Sequence, residues 1–384
     1  MQSTSRRGKA PGAVRASILG LTRTLSIPAL AVLTALLIGA LIMLLSGGNP
    51  LVGYVALFEG AFGKARSLSE TAVAATPYVF AGLGIALGFR GGLFNIGVEG
   101  QLFIGSICAA GVGYAVHGLP WFIHMPLALL AGCLGGAICA GIPGFLKAKT
   151  GAHEVITTIM INYMAIYFTN WLVTGPMQDP GTIVPQTRRI LATAEIPAIW
   201  GAYRVHWGTV LAIAAAALVF WLLWRTVLGF EIRTVGANPD AAKYAGIHVG
   251  RNIVITMMLS GALAGAAGAV EVLGLNHYFA PSFSIGYGFD SIAVAVLGKS
   301  HPWGVVASAF LFGALNNGAN LMQLRTQSPV YIISIVQALI LMLVSADQIV
   351  RRLYRLKDLP KGNLATPAVA TSESALGTGK EAKS

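Results

Sequence analysis

The feature that most constrains this chain is a series of apolar segments, each about 20 residues long. An α-helix rises about 1.5 Å per residue, so a segment of that length crosses the ~30 Å hydrocarbon core of a bilayer. Ten such segments follow one another: 27–46, 70–89, 93–116, 122–146, 152–174, 208–227, 252–273, 283–299, 303–322 and 330–349. The sequence therefore predicts an all-α integral membrane protein with about ten transmembrane helices.

The composition excludes a water-soluble globular protein. Only 10% of the 384 residues are charged and 55% are hydrophobic, whereas soluble domains carry about 25% charged residues. So few charges cannot cover a globular surface, and lipid must therefore surround much of the chain. The net charge of +12 is typical of the positive-inside rule and gives no support to a nucleic-acid partner.

The distribution of Lys and Arg predicts the orientation. With the N-terminus inside, 20 of the 26 Lys and Arg residues fall on the inner side, and cytoplasmic loops carry this excess. We therefore expect a cytoplasmic segment 1–26, a transmembrane domain 27–350 and a cytoplasmic, disordered tail 351–384. Residues 51–67 are expected to lie at the membrane surface, and 175–207 form the longest external connection.

One inner connection, "TVLGFEIRTVGANPDAAKYAGIHVGRN" (226–252), carries signals for a short helix. Asn238 is a good N-cap, Pro239 suits the first helical position, and Asp240 complements the positive helix end. Gly246 then supplies a left-handed stop. A helix of about two turns, over 239–245, is marginal alone in water, so it is predicted to dock on a cytoplasmic partner. The alternative is an ordinary connection between helices.

Three motifs in this chain carry a family resemblance. "GFEIRTVGANPDAAKYAGI" resembles the cytoplasmic coupling segment of ABC importer permeases in the ribose and branched-chain amino acid group. "GFRGGLFNIGVEGQLFIG" and "AHEVITTIMINYMAIYFTNWLV" are similar to the simple-sugar and nucleoside branch. The resemblance extends from about Ser67 to Arg352. It implies a type II-like ABC importer permease fold in the bacterial cytoplasmic (inner) membrane.

The resemblance also implies a set of partners. They are a second homologous permease (usually a different chain, although a homodimer is possible), a cytoplasmic ABC ATPase docked on 229–250, and an extracytoplasmic solute-binding lipoprotein. This chain has no phosphate loop, so it is expected to bind no cofactor, with ATP and Mg used by the ATPase. The residues expected to couple to that ATPase are Arg233, Gly236, Asn238, Pro239, Asp240, Ala241, Ala242, Tyr244 and Gly246.

Two short motifs indicate an internal repeat. "FNIGVEGQ" (94–101) aligns with "FSIGYGFD" (283–290), and Gln101 then matches Asp290. The first motif begins a span that runs outward and the second a span that runs inward. Inverted repeats place such glycine-interrupted helices at the middle of the membrane, where they form the substrate site. We therefore expect the two motifs to converge on the translocation path.

Polar residues within the apolar segments are candidates for that path. Glu99 has two possible roles, the favoured one being to cap backbone N–H groups freed by the glycines, the other to accept hydrogen bonds from a solute. Stripes such as Glu154, Thr158 and Asn162 line a path or join helices equally well. The path residues proposed from sequence are Asn95, Glu99, Gln101, Asn162, Tyr163, Asp290, Asn316 and Asn320.

Two further patterns belong to the transmembrane domain. Tyr163, Tyr167 and Trp171 share one helical face and could stack a nucleobase, although packing is the commoner use of such residues. "GALAGAAGA" (261–269) repeats small residues at four-residue spacing, which predicts close helix packing.

The sequence bears on three function classes. The favoured one is the permease subunit of an ATP-driven importer for nucleosides or simple sugars, nucleosides being preferred. The alternative is an ion-coupled secondary transporter in which Glu99 and Asp290 carry the ions. A membrane-embedded enzyme is disfavoured, because the sequence offers no nucleophile with a base, no metal-ligand cluster and no carboxylate pair, so neither catalytic residues nor a metal site are predicted.

Overall fold

The computed structural model describes residues 29–201, 203–281, 286–327 and 331–345. The described residues contain helices and connections but no strand, and isolated β-bridges occur only in the connection that precedes the seventh helix. The predicted segment 1–26 and the tail 351–384 lie outside the described residues. The helices are α1 Ala29–Leu45, α2 Pro50–Phe62, α3 Ala65–Arg90, α4 Val98–Ala115, α5 Trp121–Thr150, α6 Glu154–Thr174, α7 Trp207–Arg225, α8 Val227–Ala237, α9 Pro239–Tyr244, α10 Val249–Glu271 with a π-helical turn Val272–Asn276, α11 Tyr287–Leu297, α12 Pro302–Thr326 and α13 Tyr331–Ser345.

A helix lies at each of the ten predicted segments. Six of the described helices, namely α3, α5, α6, α7, α10 with its π-helical turn and α12, are long and apolar enough to cross a membrane. α1, α11 and α13 are shorter apolar helices, and α4 has 18 residues. The prediction of an all-α membrane protein is confirmed.

The predicted boundaries need two corrections. The third span was predicted from residue 93, but α4 begins at Val98 because Gly92 adopts a left-handed φ of 69° and the chain then turns. Residues Val227–Ala237, predicted to belong mostly to a connection, form helix α8, which the Thr226 hydroxyl caps. The segment predicted to lie at the membrane surface is also helical, and this helix, α2, packs against α12.

Two central helices organise the bundle. α3 packs against α10, α11 and α12, while α10 packs against α3, α4 and α5. α4 in turn contacts α6, and α11 contacts α13. The neighbours of the two central helices therefore correspond pairwise, as expected if α3–α6 and α10–α13 are two copies of one unit related by a two-fold axis.

Glycines allow the closest helix contacts, as the run at 261–269 predicts. A Cβ atom on Gly265 would lie 2.2 Å from the carbonyl oxygen of Gly132, and one on Gly261 would lie 2.3 Å from that of Gly136. No side chain fits at such distances, so α10 and α5 approach each other backbone to backbone. The prediction of close packing is confirmed.

Candidate functional site

The first turns of α4 and α11 meet inside the bundle. Gly97 and Gly286 occupy the N-cap positions of the two helices. The carboxylate of Glu99, whose side chain is only 4% exposed, accepts a hydrogen bond from the backbone N–H of Gly288. A Cβ atom on Gly288 would lie 2.4 Å from the Glu99 nitrogen. The two aligned motifs are thus in direct backbone contact, and Glu99 and Gly288 are equivalent positions in that alignment.

Asn95 and Gln101 fix the turn that leads into α4. Their side-chain amides bond to each other in both directions, at 2.8 and 2.9 Å. Asn95 also donates to Ser260 of α10 at 3.0 Å and accepts from the backbone N–H of Gly97 at 3.1 Å. Asn95, Gln101 and Ser260 are all buried. These two predicted path residues therefore satisfy each other and hold α4 against α10.

The polar stripe of α6 packs onto the same region. The side-chain oxygen of Asn162 accepts from the backbone N–H of Gly100, and the Thr158 hydroxyl accepts from that of Ile96 at 3.4 Å. Glu154 pairs with Lys147 of α5 at 2.6 Å. The stripe joins helices in this structure.

The aromatic face of α6 points away from the bundle. Tyr163, Tyr167 and Trp171 are 52%, 71% and 59% exposed. These side chains are therefore not core residues of the subunit, and they remain available to lipid, to a second subunit or to a solute.

Asp290 belongs to a chain of hydrogen bonds that crosses four helices. Tyr78 of α3 donates to Asp290 of α11 at 3.2 Å, Asn316 of α12 donates to Tyr78 at 2.6 Å, and Gln337 of α13 donates to Asn316 at 3.0 Å. The predicted residue Asn320 lies one turn further along α12 and is exposed. Across the described ranges, no three His, Cys, Asp or Glu side chains come together as a possible metal site.

Two residues of this hydrogen-bond chain, Tyr78 and Gln337, were not predicted from the sequence. Tyr78 lies in an apolar run, where a tyrosine is an ordinary core residue. Gln337 is a single amide inside the otherwise apolar α13, and this isolated polar group was a detectable signal. Asn317 was also missed. It donates to the backbone carbonyls of Gly60 and Ser67 and fixes the connection between α2 and α3.

The short helix predicted on the inner side is present as α9. The Asn238 side chain accepts from the backbone N–H of Ala241 at 3.0 Å, and Pro239 is the first helical residue. At the other end, Gly246 has a φ of 81°, and Gly246 and Ile247 donate to the carbonyls of Lys243 and Ala242. This pattern is a Schellman motif, and both predicted ends of the helix are confirmed.

The predicted coupling residues divide between two environments. Three of them pack into the protein: Ala242 is buried, Arg233 lies over the Trp224 ring at 5.8 Å, and Gly236 presses on the backbone of Arg90. The other six are exposed: Asn238, Pro239, Asp240, Ala241, Tyr244 and Gly246. α9 therefore presents a free outer face, on which the Tyr244 side chain is 95% exposed.

Comparison with known proteins places this architecture in a family. Residues 67–345 match the family described as branched-chain amino acid transport system / permease component. The guanosine ABC transporter permease protein NupP of Bacillus subtilis is 41% identical over 333 residues, which are 85% of this chain and 94% of NupP. The nucleoside ABC transporter permease protein NupB of Lactococcus lactis is 35% identical over 92% of this chain and 98% of NupB.

A sugar permease is similar over most of the chain as well. The glucose ABC transporter permease protein TsgB13 of Haloferax volcanii is 32% identical over 85% of this chain and 88% of TsgB13. The family match covers the helices α3 to α13, and with them the two motifs that meet at Glu99 and Gly288 and the segment that contains α9. The chain belongs to the permease components of the branched-chain amino acid transport family, and within it to the ABC permeases that resemble nucleoside and sugar permeases.

Proposed function

We propose that this chain is the transmembrane subunit of an ATP-driven importer that carries nucleosides or simple sugars across the bacterial cytoplasmic membrane, with nucleosides as the favoured solutes. The observation that carries the proposal is the similarity to NupP over 94% of that permease's length. The ion-coupled alternative is not favoured, because the three relatives described above are all named as ABC permeases.

The proposed partners supply the functions that a single permease subunit does not carry out. A cytoplasmic ABC ATPase supplies the ATP-hydrolysing site and uses Mg. A second homologous permease, most often a different chain, completes the pore, and an extracytoplasmic lipoprotein delivers the solute. With both termini in the cytoplasm, α9 faces the ATPase.

The coupling mechanism follows from the two faces of α9. The exposed face of Ala241 and Tyr244 binds the ATPase, while Ala242 on the opposite face is seated in the protein. α8 precedes α9 and touches the inner end of α3 through Gly236. Movement of the ATPase would thus act on a central helix of the bundle, and the path would open alternately to the two sides.

The candidate path residues fall into two groups by their contacts. Asn95, Glu99, Gln101 and Asn162 are at most 4% exposed and bond to neighbouring helices or turns. We assign these four to the scaffold. The remaining candidates keep exposed surface, and we propose that they face the path: Tyr163, Asp290, Asn316 and Asn320.

The coupling proposal is tested by Ala241→Arg in the complete importer. Ala241 is exposed, so the substitution leaves the fold intact while placing a large cation in the docking face. We expect ATP-dependent guanosine uptake by cells to fall at least tenfold at normal membrane abundance. Thr150→Arg, at the exposed inner end of α5, is the matched control and should keep wild-type uptake.

Two results would overturn the proposal. Full uptake by the Ala241→Arg importer would remove the docking role of α9. Uptake by this chain alone, in ATP-free vesicles with an ion gradient, would favour the secondary transporter.

A further inference from the structure

A pocket of about 460 Å³ opens between the 175–207 connection and the end of α10. We call it the outer pocket, because the proposed orientation places this end of the molecule outside. Its polar lining residues are Glu195, Arg204 and His277, and its apolar lining includes Ile196, Pro197 and Leu275. The volume lies within the range of small-molecule sites, about 300–1,000 Å³. It is separate from the Glu99–Gly288 contact and from α9.

The wall of the outer pocket has an unusual but well-fixed backbone. α10 ends in a π-helical turn, Val272–Asn276, and His277 then adopts a left-handed φ of 62°. Hydrogen bonds hold this wall to the external connection: Ile196 donates to Leu273 at 2.8 Å, and Ile190 donates to His277 at 2.9 Å. π-turns and left-handed non-glycine residues cost energy and occur frequently at functional sites.

The polar groups of the outer pocket retain unused hydrogen-bonding capacity. His277 Nδ1 is buried, has no hydrogen-bond partner among the described residues, and lies 3.8 Å from the Glu195 carboxylate. Burial lowers the pKa of His277, although Glu195 opposes this shift, so the ring is neutral at pH 7 and offers one donor and one acceptor. Arg204 bonds to Glu70 through one nitrogen, at 3.3 Å, and a guanidinium has five N–H donors.

These groups match the chemistry of a vicinal diol. A carboxylate accepts from hydroxyl groups, a guanidinium donates to them, and an imidazole does either. Ile196, Pro197 and Leu275 offer an apolar surface to a sugar ring or a base. Both solute classes of the proposed function, nucleosides and simple sugars, carry hydroxyls on adjacent carbons.

We propose that the outer pocket is a binding site of this permease for the vicinal-diol part of the transported solute, occupied before the solute enters the membrane. The proposal rests on the proposed function and deepens it. Glu195, Arg204 and His277 hold the hydroxyls, and the apolar lining holds the remainder of the solute.

Cysteine protection tests the site in the assembled importer. Ala198 lines the outer pocket and is exposed, so Ala198→Cys should react with a membrane-impermeant maleimide added outside. Membranes without the solute-binding protein ensure that only free solute protects. We expect millimolar guanosine to slow labelling at least threefold, and 2′,3′-dideoxyguanosine to have no effect. Ile183→Cys, at a position 98% exposed on the same connection, is the matched control and should show no protection.

A second solute and a second substitution in the same protection experiment identify the solute and the binding residue. Glucose in place of guanosine shows whether the pocket takes sugars as well as nucleosides, and protection by either one supports the diol site. Adding Glu195→Gln to the Ala198→Cys chain should abolish protection. Absent protection by both solutes, equal protection by the dideoxy compound, or equal slowing at Ile183→Cys would overturn the inference.

The failure of this inference and the failure of the proposed function give different results. If uptake of guanosine or glucose is ATP-dependent but Ala198→Cys is never protected, the outer pocket is refuted and the importer assignment stands. If neither solute is taken up, the proposed function is refuted.

Discussion

Glu99 connects the first turns of two helices whose N-terminal ends meet. Its carboxylate lies in the first turn of α4 and accepts from the backbone N–H of Gly288 in the first turn of α11. Both helix ends carry partial positive charge, and a carboxylate is stabilised there. The Glu99 carboxylate, which would cost free energy in contact with lipid, is therefore stabilised by backbone N–H groups, and these would also cost free energy if they were left unpaired.

Substitutions at Glu99 should separate the scaffold role from a role in solute binding. Glu99→Ala leaves the Gly288 N–H unpaired, which costs about 1–3 kcal/mol, so we expect a lower melting temperature of the purified protein in detergent. Glu99→Gln keeps an acceptor oxygen, and its stability and guanosine uptake should stay near wild type. Loss of uptake by a fully stable Glu99→Gln protein would instead show that the carboxylate binds solute.

His206 should make the protein sensitive to acid. Burial lowers the pKa of His206 to about 4, with smaller contributions from the neighbouring His277 and Arg204. In the unfolded chain, a histidine titrates near 6.5, so below that pH the unfolded state binds a proton that the folded state does not. The free energy of unfolding is therefore undiminished by this group above pH 6.5, and it falls by about 3 kcal/mol as the pH drops to 4.

His206→Asn tests this pH dependence. The Nδ1 atom of His206 accepts from the backbone N–H of Gly208 as the N-cap of α7, and an Asn side chain accepts the same bond without titrating. The melting temperature of the variant should fall less between pH 6.5 and 4 than that of the wild type. His117→Asn, at an exposed position, should leave the wild-type slope unchanged, and an equal slope in the His206→Asn protein would refute the assignment.

At the scale of single residues, the sequence showed which groups were unusual but not what they touch. Glu99 was recognisable because it is a charge among glycines and apolar residues. Its partner is a backbone N–H, which no residue type specifies. Asn95 and Gln101, both proposed to face the path, bond to each other instead, and only the turn before α4 brings the two amides together.

At the scale of helices, the contact between α10 and α5 depends on glycine. Gly265→Leu should destabilise the bundle strongly, because even a Cβ atom there would lie 2.2 Å from the Gly132 carbonyl oxygen. Gly250→Ala in the same helix is the matched control, since its Cβ would meet Ala148 at an ordinary 3.7 Å. We expect little folded Gly265→Leu protein on size exclusion in detergent and wild-type behaviour for Gly250→Ala. Normal recovery of Gly265→Leu would contradict the backbone contact.

Helix ends were predictable from sequence where local caps define them. Asn238, Pro239 and Gly246 specify α9 within a few residues, because each acts on the backbone next to it. α8 was missed, since "VLGFEIRTVGA" contains two glycines and its stability comes from packing, including that of Gly229 against the end of α7. Such a tertiary contact leaves no local pattern.

At the scale of the whole molecule, the repeat explains why Glu99 meets Gly288. Residues at equivalent positions face each other only near the axis that relates the two copies, as at an isologous interface. The correspondence of α3 with α10, α4 with α11, α5 with α12 and α6 with α13 places that axis between the first turns of α4 and α11. The short alignment of 94–101 with 283–290 predicted this relation, although it could not predict the contact.

The inverted repeat and the charge bias together predict which ends of the molecule face outside. The 175–207 connection should be external and α9 internal, because the inner side carries most of the Lys and Arg residues. Ile183→Cys and Tyr244→Cys, both at highly exposed positions, report on the two sides. In intact cells, an impermeant maleimide should label Ile183→Cys and leave Tyr244→Cys unlabelled, whereas permeabilised cells should show labelling of both. Labelling of Tyr244→Cys in intact cells would show that the orientation is reversed. α9 would then lie out of reach of a cytoplasmic ATPase, and the outer pocket would not lie on the side from which the solute arrives.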